Sequence, residues 1–133
     1  NQFFSIDIKS GSFNWENEIN SYLRPALVDN YLITVSLEGY LIIIEKKTGN
    51  IIRVTDIFKN FKIKNIKKIK PTGFIVGTNN IYVSTNNGRL LVTDILTGKT
   101  YKTLKIDNQK ISKPFIKKKN LFLIKKNGII KLK

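Results

Sequence analysis

Short apolar runs separated by polar, glycine-bearing stretches pattern most of the chain. Leu32–Val35, Leu41–Ile44, Ile81–Val83, Leu90–Val92 and Leu121–Ile124 are rich in β-branched residues and bounded by Asn, Gly, Ser and Thr. Runs this short between turn formers predict β-strands. Several are apolar at successive positions rather than alternating with polar ones. A strand of that kind is covered on both faces, as when one sheet is stacked between two others. A helical period is visible only in 61–69, where Ile63, Ile66 and Ile69 recur every third residue. Lys64–Asn65 within it and Pro71–Thr72–Gly73 just after it argue against a long helix.

The strand pattern repeats. NYLITVSLEGYLIIIEKKTGNIIRV (30–54) aligns with NIYVSTNNGRLLVTDILTGKTYKTL (80–104), with Gly39 and Gly49 matching Gly88 and Gly98. A third copy begins at Asn120 and places Gly128 where Gly39 and Gly88 stand, while SIDIKSGSFNW near the start has only the second half of a unit. First strands are expected after the basic-Pro steps Arg24–Pro25, Lys70–Pro71 and Lys113–Pro114. A second strand then ends at Gly39, Gly88 or Gly128, where positive φ would suit a tight hairpin. A period of about 40–50 residues with four strands per unit is that of a propeller blade. The expected fold is therefore all-β, made of four-stranded antiparallel blades. It is a partial propeller of about two full and two partial blades, with approximate units 1–19, 20–59, 60–108 and 109–133.

The first three units each carry one acid-x-x-hydroxyl-glycine phrase, Asp7, Ser10, Gly11; Glu45, Thr48, Gly49; and Asp94, Thr97, Gly98, and the last copy ends before one. Acid and hydroxyl side chains can accept local backbone N–H groups and hold a turn. The glycines would supply the left-handed residue of a bulged hairpin. The other reading makes the three acids metal-binding or acid–base carboxylates. Their equivalent positions in successive units favour the turn reading.

The phrase DIKSGSFNW, with Trp15 four residues after Gly11, resembles the quinoprotein-like (PQQ-type) β-propeller repeat. That resemblance implies that Trp15 packs between neighbouring blades. Arg53 and Lys102 replace tryptophan in the other two copies. Within this class, LRPALVDNYLITVSLEGYLIIIEKKTG and KPFIKKKNLFLIKKNGIIKLK resemble late blades and the C-terminal half-blade of the BamB family, accessory lipoproteins of outer-membrane β-barrel assembly. The resemblance implies the C-terminal part of an eight-bladed toroid, with the signal peptide, lipidated cysteine and closing strand upstream. It further implies a periplasmic, outer-membrane-associated scaffold whose partners are proteins of the assembly machinery, with no catalytic residue, no cofactor and no metal. The enzyme alternative, a fragment of a PQQ-dependent dehydrogenase, would need a catalytic Asp and a set of cation ligands.

Composition narrows the chemistry. The chain has no Cys and no His, which removes disulfides, thiolate metal sites and the usual nucleophile–base pairs. NQFFSIDIKSG has the features of neither a charged n-region nor a long apolar segment. The net charge of +15 is uneven: residues 1–58 hold five basic against seven acidic residues, and 59–133 hold nineteen basic against Asp94 and Asp107. FKNFKIKNIKKIK (58–70) and KKKNLFLIKK (117–126) could attract nucleic acid nonspecifically, but their interleaved Ile suits a core better than a stacking platform. Lys117–Lys119 fit a solvated hairpin, with peripheral contact to an anionic membrane surface as the alternative. Phe115, Phe122, Tyr82 and Tyr101 read as blade-packing residues. Incomplete end blades would expose apolar faces and unpaired edges, so self-association is expected.

Overall fold

A computed structural model describes residues 1–60 and 66–132. Among these residues, four antiparallel sheets follow one another in chain order. The first pairs β1 (Gln2–Ile6) with β2 (Phe13–Glu18). The second is β3 (Ala26–Val28), β4 (Tyr31–Val35), β5 (Tyr40–Glu45) and β6 (Ile51–Asp56), paired in sequence order. The third repeats that order with β7 (Pro71–Val76), β8 (Asn80–Thr85), β9 (Arg89–Asp94) and β10 (Thr100–Lys105). The last holds β11 (Phe115–Lys117), β12 (Asn120–Lys125) and β13 (Gly128–Leu132). Two four-stranded blades thus stand between a two-stranded and a three-stranded sheet, the architecture expected of a partial propeller.

The core lies between the sheets, which explains the doubly apolar strands. In β5, Leu41 and Ile43 pack into the cluster shared with the third sheet, while Ile42 and Ile44 pack with Ile19, Phe3 and Trp15 of the first unit. In β9, Leu91 joins Val83, Ile81 and Phe74 in that central cluster, and Leu90 turns to Ile111 and Leu123 of the last unit. Successive side chains of a strand point to opposite faces. A strand of a blade flanked on both sides must therefore be apolar at consecutive positions. Leu41, Ile44, Leu90 and Leu91 are fully buried.

Of the segment 61–69, residues 61–65 lie outside the described residues, and Ile66–Lys68 form one short 3₁₀ turn. Gly39 and Gly88 have φ of 91° and 75°, but Gly128 does not occupy the left-handed region. The reason is register. Gly128 is already the first residue of β13, paired with Lys125, so Lys126–Asn127 make the turn and Gly128 needs only extended backbone.

Candidate functional site: the motif turns and the first interblade groove

The three acid-x-x-hydroxyl-glycine phrases form one kind of turn, between β1 and β2, β5 and β6, and β9 and β10. In each, the glycine N–H donates to the carbonyl of the acid at 2.8–2.9 Å, and φ at Gly11, Gly49 and Gly98 is 74°, 77° and 71°. Asp7 Oδ1 accepts the N–H groups of Lys9 and Ser10 and the Ser10 hydroxyl at 2.8–3.0 Å. Asp94 Oδ1 accepts the Thr97 N–H at 2.7 Å and its hydroxyl at 2.8 Å. The Thr48 hydroxyl donates to Glu45 Oε2. The hydroxyl oxygens in turn accept the N–H two residues on, at Ser12, Asn50 and Lys99. A register shift accompanies each turn, at Ser5/Ile6, Ile43/Ile44 and Thr100/Lys102.

These hydrogen bonds favour the charged carboxylates. The Ser10 N–H and hydroxyl, followed by the Lys9 N–H, hold Asp7 below the ordinary carboxylate range. The Thr97 hydroxyl and N–H do the same for Asp94. The three acids are each occupied by their own turn and sit on three different sheets. Among the described residues, no three acids gather into a set able to hold a metal ion.

The turns also receive the preceding blade. Trp15 Nε1 donates to Lys46 O at 2.9 Å, and Asn17 Nδ2 donates to Gly49 O at 2.8 Å. The indole lies directly over Gly49, where an added Cβ would sit 2.5 Å from Trp15 Cγ. One unit later, Arg53 stands at the tryptophan position and donates to Leu96 O and, at 2.7 Å, to Ile95 O. Thr55, equivalent to Asn17, covers Gly98, where a Cβ would meet Thr55 Oγ1 at 2.6 Å. Arginine thus reaches the same turn that tryptophan reaches, by its guanidinium rather than its ring. Lys102, the third equivalent, is exposed.

Sequence reasoning did not single out Asn17, Thr55 or Phe58, which lies over Gly39. Their signal is positional: Asn17 and Thr55 both stand six residues after a motif glycine. Of the aromatics, Tyr82 packs with the Leu90 cluster, whereas Tyr101 is exposed and donates its hydroxyl to Asn80 Oδ1 at 2.9 Å. Phe115 and Phe122 stack on each other with centroids 5.3 Å apart.

Beside the first motif turn, an open and mostly apolar groove of about 490 Å³ separates the first two sheets. Phe3, Phe4, Trp15, Pro25, Leu27 and Leu32 line it, with Lys46 at its margin. Among the described residues, β1 pairs only with β2, and its other edge has no strand partner there. The arrangement offers backbone hydrogen-bonding groups beside apolar surface, the chemistry that receives an extended peptide.

Comparison with known proteins agrees with this geometry. The family model described as outer membrane protein assembly factor BamB matches residues 1–55. The structure of BamB from Moraxella catarrhalis superposes with a TM-score of 0.74 at 15% identity, over 98% of this chain and 36% of that one. The computationally designed Ika4 protein gives 0.74 at 15% identity, over 98% of this chain and 78% of that one. Sqt1 of Saccharomyces cerevisiae gives 0.78 at 11% identity, over 98% and 39%. The chain therefore spans little more than a third of the BamB structure it matches. No curated protein sequence matches it. At these identities the structural neighbours establish the β-propeller fold, and the family match makes residues 1–55, with their PQQ-like repeat, similar to BamB.

Proposed function

We propose that this chain is a non-catalytic, protein-binding part of a propeller that assists outer-membrane β-barrel assembly in the periplasm. The observation that carries the proposal is the match of residues 1–55 to the BamB family model. That segment includes two of the three motif turns, Trp15, and the groove residues from Phe3 to Lys46. The physical design supports a scaffold. Stacked sheets locked through Trp15 and Arg53 make a stiff body, and its turns and sheet edges can receive protein segments without any chemistry. The motif acids that could otherwise serve a quinone enzyme are held by their own turns, so they do not fit a cation-binding donor set.

Co-purification tests the proposal. The full-length protein containing this chain, tagged and expressed in its native host, should retain components of the barrel-assembly machinery after washing at physiological salt. Recovery without any assembly component would count against the role. Alcohol oxidation that depends on added PQQ and calcium would instead install the dehydrogenase reading.

A further inference from the structure

Antiparallel pairing in sequence order sends the connections of each blade alternately to its two ends. The β3–β4, β5–β6, β7–β8 and β9–β10 turns leave at the end that carries the motif phrases. The β4–β5 and β8–β9 hairpins leave at the other end, together with the connections from β6 to β7 and from β10 to β11. The two ends differ in charge. In the turns of these two blades the motif end is balanced, with Asp29, Glu45 and Asp94 against Lys46, Lys47 and Lys99. At the opposite end, the described residues of the connections hold Lys59, Lys67, Lys68, Lys70, Lys110 and Lys113 against Glu38 and Asp107. All six lysines are exposed. Blades stack through the faces of their sheets, so this end stays open whatever sheet lies beyond the first or the last.

Hydrogen bonds join the two lysine-bearing connections through one hairpin. Asn86 Oδ1 accepts the Lys70 N–H at 2.9 Å, Asn86 Nδ2 donates to Lys68 O at 3.0 Å, and the Asn86 N–H donates to Lys70 O at 3.0 Å. Two residues on, Gly88 O accepts the N–H groups of Ile106 and Asp107 at 2.9 and 3.1 Å. The acids at this end serve local contacts. Asp107 Oδ1 accepts the N–H groups of Asn108 and Gln109, and Glu38 accepts the Asn20 amide. The apolar residues of the connections turn into the core: Ile57, Phe58, Ile69 and Ile111 are buried. What faces solvent is a cationic surface without an apolar wedge.

We propose that this lysine end of the blades rests on the surface of an anionic lipid bilayer. An acidic peptide would need a groove to hold its backbone. The cavity here, beside Glu38, Lys67 and Lys70, is about 240 Å³, below the size of pockets that hold small ligands. Nucleobases would need stacking rings, and Phe58 is buried. A plane of headgroups requires neither groove nor ring. It requires point charges from several connections presented at one end, each attracted within a screening length, and lysine ammoniums supply them. This contact is distinct from one through Lys117–Lys119, which belong to the β11–β12 hairpin at the motif end. It is also independent of the proposed protein partner.

Vesicle co-sedimentation of the full-length protein containing this chain, in water-soluble form, tests the proposal. Vesicles of phosphatidylglycerol and phosphatidylcholine in equal parts should bind it, and phosphatidylcholine alone should not. Binding should fall as salt shortens the screening length from about 10 Å at 0.1 M to about 3 Å at 1 M. Lys67→Glu, Lys68→Glu and Lys110→Glu together should weaken binding at least ~30-fold. Lys9→Glu, Lys47→Glu and Lys99→Glu make the same change of net charge at the motif end and should weaken it no more than ~3-fold. All six positions are exposed, and circular dichroism checks that each variant is folded. Lys67→Gln with Lys110→Gln supplies a milder arm that should move binding in the same direction. Equal losses in the two triple variants would reveal attraction to net charge alone and overturn the proposal. So would binding indifferent to phosphatidylglycerol. Retention of polyglutamate or a single-stranded oligonucleotide at salt that releases the vesicles would overturn it too, assigning the surface to that polyanion.

Discussion

Replacing Gly49 and Gly11 separately by alanine divides the cost of a motif turn into its local and interblade parts. Both glycines have nearly the same backbone, with φ of 77° and 74°. A left-handed alanine costs about 1–2 kcal/mol, and restricting the unfolded chain offsets about 0.4–1 kcal/mol of that. Around Gly11 a Cβ meets nothing within 4 Å, so Gly11→Ala should lose only about 0.5–1 kcal/mol. At Gly49 the same Cβ would lie 2.5 Å from Trp15 Cγ and 2.8 Å from Trp15 Cβ. These atoms are near the root of the side chain and cannot swing aside without moving the indole and its bond to Lys46 O.

Overpacking of that kind adds about 1–3 kcal/mol, giving roughly 2–4 kcal/mol in total for Gly49→Ala. Urea unfolding followed by far-ultraviolet circular dichroism measures both losses. The same pair in a Trp15→Ala background completes the cycle, where Gly49→Ala should recover most of its excess cost. Equal losses for the two alanine variants, or an excess that persists without Trp15, would refute the docking of Trp15 on this turn.

Further outcomes follow from other contacts. Arg53→Ala removes the donors to Ile95 O and Leu96 O and should destabilise by about 1–3 kcal/mol in thermal unfolding, with Arg53→Lys recovering only part because it lacks the guanidinium fork. Lys118 and Lys119 hold φ of 50° and 63° in the hairpin between β11 and β12, so replacing them by Asn-Gly should stabilise by about 1 kcal/mol, and a lowered melting temperature would contradict that turn. Asp7 and Asp94 have folded-state pKa values below the ordinary 3.8. Their stabilisation is therefore fully present above the unfolded-state value and is lost as pH falls through the lower folded values. Asp7→Asn with Asp94→Asn should flatten the acid limb of the stability profile below about pH 4, and an unchanged limb would show that these carboxylates do not hold the turns.

How much could be read before folding depends on the range over which each contact acts. Asp7, Ser10 and Gly11 close their turn within five residues, so residue types at fixed spacing suffice to expect the geometry. The same is true of Leu41–Ile44, whose continuous apolarity already requires a neighbour on each face. Arg53 marks the boundary of this legibility. By type it breaks the tryptophan pattern, yet it keeps the docking because the turn at Ile95–Leu96 offers carbonyl oxygens that either an indole N–H or a guanidinium can use. Gly128 shows the reverse. Its place in the repeat suggests a left-handed turn residue, but strand register moves the turn to Lys126–Asn127.

The sequence by itself determined the strands, the motif turns and their blade-like period, because these follow from side-chain alternation and hydrogen bonds between near neighbours. Only the tertiary structure decided which face of each strand meets which blade, and that Trp15 and Arg53 bridge to the next turn. Those features depend on register. One residue of slip exchanges the two faces of a strand, and composition does not reveal that slip.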